Sequence, residues 1–209
     1  MTLKLDRMVL GYIGTNVYFI CNEENGKVIV VDPADNGEEV YKAITNSGLS
    51  VAAILLTHGH YDHILGVEKL RELSGAKVYA SIEEKDVLEN ANNNLTEEIG
   101  NPFSLAADVY LKDSEEIDID GIKFKCIITP GHTKGSCCYY FENDNILISG
   151  DTLFEGSVGR TDLPTGSMSD IVRSIKEKLI ILPDITRVYP GHGGFTTIEE
   201  EKKYNPFIN

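Results

Sequence analysis

Val51-Ala52-Ala53-Ile54-Leu55-Leu56-Thr57-His58-Gly59-His60-Tyr61-Asp62-His63 joins an unbroken apolar run to three histidines and a carboxylate. Such a run suits a strand buried on both faces, the kind found in parallel sheets covered by helices. The polar residues then fall at the strand's C-terminal edge, where α/β folds place their sites. Histidine is the commonest metal-binding side chain. The two remaining histidines also lie in glycine-flanked turns, Pro130-Gly131-His132-Thr133 and Pro190-Gly191-His192-Gly193, so none of the five is left for packing. Asp151, in Ser149-Gly150-Asp151-Thr152, adds a second carboxylate.

Residues i and i+2 of an extended segment share a side, so His58 and His60 can aim at one point. Asp62 and His63 lie a step further round, where a helix begins, and can face a neighbouring point. His132 can close the first position and His192 the second, with Asp151 between them as a bridging carboxylate. A buried, unpaired carboxylate is expensive, and coordination removes that cost. About three protein ligands per metal leave coordination open for water, the mark of a catalytic site. The expectation is two divalent metal ions. Nitrogen and oxygen donors without thiolates suit zinc, iron or manganese and do not choose among them; zinc is the expected ion, with iron or manganese as alternatives.

Working outward, Val17–Cys21 and Val28–Val31 read as strands around an Asn25-Gly26 turn, and Asp32-Pro33 ends the second. A helix is expected over Gly37–Thr45 with Asn36 as N-cap, and another over Leu65–Leu73, stopped at Ser74-Gly75. Val78–Ala80 reads as a strand. Ile82–Ala107 reads as helix or loop, weakest at Asn90–Asn94. Strands return at Ile117–Ile119, Phe124–Ile128, Cys138–Phe141 and Ile146–Ile148, with turns at Asp120-Gly121 and Asn143–Asn145. A helix over Ser169–Leu179, a strand at Val188-Tyr189 and a capping-box helix from Thr197 complete the chain. Two groups of strands followed by helices, with no linker between them, make one domain over residues 1–209 the expectation.

The bulk properties exclude several classes. The apolar fraction of 42% and charged fraction of 25% are those of an ordinary globular protein. A net charge of −14 with no compensating basic stripe repels phosphate backbones, so no nucleic-acid partner is expected. The opening residues lack a signal-peptide profile, and no stretch approaches the roughly 20 apolar residues that span a bilayer. A cytoplasmic location without a membrane partner is expected. The four cysteines show no metal-binding or redox spacing and read as small apolar residues kept reduced.

Asp32, the His58-x-His60-x-Asp62-His63 run, His132 in Pro-Gly-His-Thr, Asp151 in Gly-Asp-Thr-Leu-Phe and His192 in Pro-Gly-His-Gly together resemble the metallo-β-lactamase-fold hydrolases. The resemblance covers essentially the whole chain. It implies an α/β fold, a four-layer αβ/βα sandwich with the metals at the seam of its halves. It also implies His58, His60 and His132 on one metal, Asp62, His63 and His192 on the other, Asp151 as bridge, and Asp32 in support. Gly150–Pro164 and the C-terminal Thr196–Phe207 stretch resemble the short bacterial glyoxalase II-like subgroup. Arg160 and Asp162 read as an ion pair ordering that loop.

A small-molecule acyl-thiol such as S-lactoylglutathione is the implied substrate, cleaved by metal-activated hydroxide that Asp62 would hold and deprotonate. A leaving thiol with a pKa near about 8.5 departs without a general acid. Full-length glyoxalase II enzymes carry a C-terminal helical domain that grips glutathione. No such domain is expected after Asn209, so thioester chemistry is implied more strongly than glutathione recognition. The alternatives are a mononuclear iron persulfide dioxygenase, which shares the Gly-Arg-Thr-Asp stretch, and, further off, a lactonase or a β-lactamase.

Overall fold

The hydrophobic alternation of the strands sorts their side chains into three separate cores. In the computed structural model, which describes residues 3–208, two six-stranded sheets lie face to face. The first contains β1 (Leu3–Leu10), β2 (Thr15–Asn22), β3 (Lys27–Val31), β4 (Ser50–Leu55), β5 (Lys77–Ser81) and β6 (Val109–Leu111), in chain order. β1 to β3 pair antiparallel and β3 to β6 parallel. The second contains β7 (Glu116–Ile119), β8 (Ile122–Ile128), β9 (Cys137–Phe141), β10 (Ile146–Gly150), β13 (Arg187–Pro190) and β14 (Thr196–Thr197). Its β10–β13 pairing is parallel. The small hairpin of β11 (Leu153–Phe154) and β12 (Ser157–Val158) follows Asp151.

Successive side chains of a strand face opposite ways, and here each face has its own partner. Ile29 and Val31 of β3, with Leu55, meet Cys137, Tyr139, Phe141, Ile146 and Ile148 between the sheets. Val28 and Val30 point outward, onto Val40 and Ile44 of α1 (Gly37–Thr45) and Val67 and Leu70 of α3 (Val67–Ser74). On the other side Cys138, Tyr140 and Leu147 face Ile171 of α5 (Met168–Ser174), Ile175, and Ile198 of α6 (Ile198–Tyr204). Helix, sheet, sheet and helix form the expected four layers.

The differences from expectation have local causes. Asn36 stands at the start of α1 in the left-handed region, φ 51°, and gives the helix its carbonyl rather than a side-chain cap. The helix expected over Leu65–Leu73 starts at Val67 as α3, and a separate helical turn, α2 (Tyr61–Ile64), ends before it, where Gly66 donates to the Pro33 carbonyl at 2.8 Å. β1 had no clear signal, since only Leu3 of its eight residues is buried. Ile82–Ala107 holds a 3₁₀ turn (Ile82–Glu84) and α4 (Lys85–Leu88), then loop. That loop is organised by buried Asn94, whose amide donates to the carbonyls of Leu88 at 3.1 Å and Phe103 at 3.0 Å. The helix from Met168 continues as a π-helical turn over Ile175–Leu179. No helix among the described residues is long and apolar enough to cross a membrane. The single-domain reading over 1–209 extends past the described residues by Met1, Thr2 and Asn209.

Candidate metal centre

Five strand ends or strand approaches deliver the polar residues to one edge of the sandwich. Asp32 follows β3, His58 to His63 follow β4, His132 precedes β9, Asp151 follows β10 and His192 follows β13. The two sheets are tied together at this edge. The Tyr139 hydroxyl donates to the Leu56 carbonyl at 2.7 Å, and the Cys137 amide donates to the Thr57 carbonyl at 2.8 Å.

The structure brings all seven expected residues together. Three sets, namely His58, His60 and His132, then His58, His63 and Asp151, then Asp62, His63 and His192, each have donor atoms within 4.8 Å of one another. His60 Nδ1 and His132 Nε2 stand 2.9 Å apart. His192 Nε2 lies 3.2 Å from an Asp62 oxygen and 3.5 Å from one of Asp151. The shared His58 and His63 place Asp151 between the two trios.

Hydrogen bonds outside the cluster set the ring orientations. The Nδ1 of His58 is 3.2 Å from the Thr57 hydroxyl, that of His63 2.9 Å from Asp32 Oδ2, and that of His132 2.8 Å from the Arg160 carbonyl. Asp32 Oδ2 and the Arg160 carbonyl can only accept, and the Thr57 hydroxyl proton is already given to Asp32 at 2.6 Å. The network therefore places the proton of each of these three rings on Nδ1 and a lone pair on Nε2. His60 is turned the other way, with Nδ1 toward His132.

The unpaired atoms supply the fit test for a metal. Nε2 of His58, His60 and His63 and Oδ1 of Asp151 are buried without a hydrogen-bond partner. His63 Nε2 is 3.3 Å from Asp62 and 3.5 Å from Asp151, near enough for charge attraction but out of hydrogen-bond alignment. A buried polar atom left unpaired costs about 1–3 kcal/mol, and a cation among these lone pairs removes that cost. The donor set fits divalent metal.

The electrostatics agree at His58 and His60. Burial, then the neighbouring His63, push His58 well below the usual histidine range, and burial with His132 takes His60 down to about 3. Both rings keep their lone pairs free of protons. Burial also opposes charge on His63, but Asp62, Asp151 and Asp32 outweigh it and raise that ring well above its ordinary value. Burial likewise disfavours the Asp62 carboxylate, yet His63 and His192 hold it far below the usual range.

Close packing leaves no slack. A Cβ on Gly191 would stand 2.2 Å from Asp151 Oδ1 and 2.6 Å from His63 Cε1. The turn carrying His192 is held by β2: the Asn16 side chain and the Tyr18 hydroxyl both donate to the Pro190 carbonyl, at 2.9 and 2.6 Å. Thr15 donates to Asp62 Oδ2 at 3.2 Å. These supports were not foreseen from sequence, because a Thr-Asn-Val-Tyr strand carries no sign of what lies beside it. Arg160 and Asp162 do form the expected ion pair, with two contacts at 2.7 and 2.8 Å on the exposed side of the loop.

A two-sheet α/β sandwich with a His/Asp cluster at its strand ends defines a metallo-hydrolase scaffold. Residues 10–192 match the model of the metallo-beta-lactamase superfamily, and the chain belongs to that superfamily. It is 37% identical over 209 residues to the probable metallo-hydrolase YqgX of Bacillus subtilis, covering 99% of this chain and 98% of that protein. It is 32% identical over 200 residues to the hydroxyacylglutathione hydrolase GloC of Haemophilus influenzae, covering 93% and 92%. Among solved structures, the BLEG-1 B3 metallo-beta-lactamase superposes with a TM-score of 0.92 at 36% identity, covering 98% of this chain and 99% of that one. TTHA1623 in a di-iron-bound form gives 0.86 at 32%, covering 97% and 99%. ETHE1 from Myxococcus xanthus gives 0.81 at 28%, covering 97% and 83%.

Proposed function

We propose that this protein is a dinuclear metal-dependent thioesterase, with His58, His60 and His132 holding one ion, Asp62, His63 and His192 the other, and Asp151 between them. The convergence of these seven residues around unpaired buried donor atoms carries the reading. Bound there, two divalent cations would supply an activated water and charge stabilisation for a carbonyl oxygen. The chain's own residues do the rest. Asp62, an ionised carboxylate oriented by the Thr15 hydroxyl, is the group that would receive the proton of the attacking water.

All five histidines stand in the cluster, so no histidine is spare to protonate a leaving nitrogen. A thiol, with a pKa near about 8.5, leaves as thiolate without help. This supports thioesters over amides, and the GloC relative, named a hydroxyacylglutathione hydrolase, supports an acyl-thiol of the S-lactoylglutathione kind. A β-lactam is the second reading, favoured by the likeness to BLEG-1 over nearly the whole chain.

The test is metal analysis of protein purified without added metal, with parallel assays on S-D-lactoylglutathione, a chromogenic β-lactam and glutathione persulfide. Thioester hydrolysis that a chelator abolishes and zinc, iron or manganese restores is expected. One iron per chain, oxygen consumption with the persulfide and no thioesterase activity would overturn the proposal.

A further inference from the structure

Glu84 is a buried carboxylate outside the ligand set. It ends the 3₁₀ turn Ile82–Glu84 and is only 1% exposed, whereas Glu83 and Lys85 beside it are exposed. Three donors converge on it. The Gly59 amide donates to Oε1 at 2.7 Å, the Gly135 amide to Oε2 at 3.0 Å, and the Thr133 hydroxyl is shared between the two oxygens at 2.9 and 2.8 Å. Gly59 lies between His58 and His60, and Thr133 follows His132. One side chain thus grips both loops that meet in the first trio.

The backbone packing repeats the arrangement. A Cβ on Gly135 would stand 2.2 Å from Glu83 C and Glu84 N, and one on Gly59 would meet Val87 and Leu88 at 3.1 Å. The Gly59 and Gly135 amides can only donate, one to each oxygen, while the Thr133 hydroxyl, also 2.6 Å from Ser136 Oγ, can donate or accept; a glutamine would aim an N–H at one of the two amides. A buried charge is costly without a cation, and no ion pair to Glu84 is formed among the described residues; Lys134 nearby is bonded to Asp86 instead. The second trio hangs from other supports, Asp32 on His63 and Thr15 on Asp62.

We infer that Glu84 is a positioning residue that fixes the spacing between the His58–His60 loop and the His132 loop, and so tunes one metal position selectively. The inference rests on reading that trio as ligands.

Zinc titrations of the whole chain against a competing chelator test it, using wild type, Glu84→Gln and Thr133→Val. Histidine ¹⁵N NMR reports which trio has lost its ion, and unfolding in EDTA reports the fold apart from the metal. Outer residues of this kind typically change metal affinity about 10–100-fold. That loss is expected at His58, His60 and His132 in both variants, with wild-type affinity kept at Asp62, His63 and His192. Should Glu84→Gln fail to fold, Thr133→Val, which keeps the carboxylate and removes one donor, carries the test. Unchanged affinity at both positions, or equal weakening at both, would overturn the inference. A wild-type chain that takes up no zinc would instead remove the metal-centre reading beneath it.

Discussion

Replacing Asp32 by alanine should damage the centre through atoms that never touch a metal. Asp32 Oδ1 accepts from the Thr57 amide at 2.8 Å, and Oδ2 accepts from the Thr57 hydroxyl at 2.6 Å and His63 Nδ1 at 2.9 Å. Alanine leaves all three donors buried and unpaired. At about 1–3 kcal/mol each, with water entering the space a carboxylate vacates, the loss should fall near ~3–5 kcal/mol, a large part of a domain's total stability. Asp32 also sits at φ 49°, a region Asp and Asn tolerate better than alanine, so the two substitutions separate backbone from charge. Asparagine keeps the backbone preference. Turned so that its oxygen faces His63, it leaves one donor, the Thr57 amide, opposed by an N–H.

The expected order of stability in EDTA is wild type, Asp32→Asn, Asp32→Ala, read by urea unfolding. Zinc affinity at the Asp62, His63 and His192 trio should drop about 10–100-fold in the alanine variant, because His63 loses the acceptor that sets its tautomer. The reasoning fails if Asp32→Ala unfolds at the wild-type urea midpoint and binds both zinc ions as tightly as wild type.

Gly191→Ala places a methyl on Asp151 and His63 at 2.2–2.6 Å, and a displacement near 1 Å at a reacting centre costs on the order of 100-fold in rate; a variant with native circular dichroism and full turnover would contradict this. Saturating both positions with zinc at about 100 times Kd should add roughly 2.7 kcal/mol of stability per ion, so EDTA should lower the thermal midpoint by about 10–20 °C for a domain of this size; an unmoved midpoint would speak against a preformed site. Burial raises the Glu84 carboxyl from 4.5 to about 8 despite its hydrogen bonds to Thr133, Gly59 and Gly135. The folded metal-free chain then holds a proton that the unfolded chain gives up. That contribution is complete below the unfolded value and is lost as pH rises through the window to about 8. Metal-free wild type should therefore lose stability across this window relative to Glu84→Gln; parallel urea midpoints for the two proteins would refute it.

The layer structure was readable because alternation is a global property of a strand. Val28-Ile29-Val30-Val31 must bury both faces, and only a sheet between helices and a second sheet allows it. β1 was not readable, because an edge strand with one buried residue gains its order from pairing with β2 rather than from its own pattern. The division of α2 from α3 was hidden for a similar reason. Gly66 ends the turn by bonding to Pro33, a residue 33 positions away by sequence number, and no local pattern reports that.

The site divides along the same line, and the division is chemical. A ligand must be a particular residue type, since only an imidazole or carboxylate offers the lone pair, so histidines and aspartates at turns announce themselves. A support need only present any acceptor at the right place. For His58 it is a threonine hydroxyl, for His63 an aspartate, for His132 the backbone carbonyl of Arg160. Glu84 and Glu83 are the same residue side by side, one buried against two ligand loops and the other in solvent. Nothing in their identity separates them; only the turn that follows β5 does. Residue type carries the coordination chemistry, and the fold alone decides which carboxylates hold it in place.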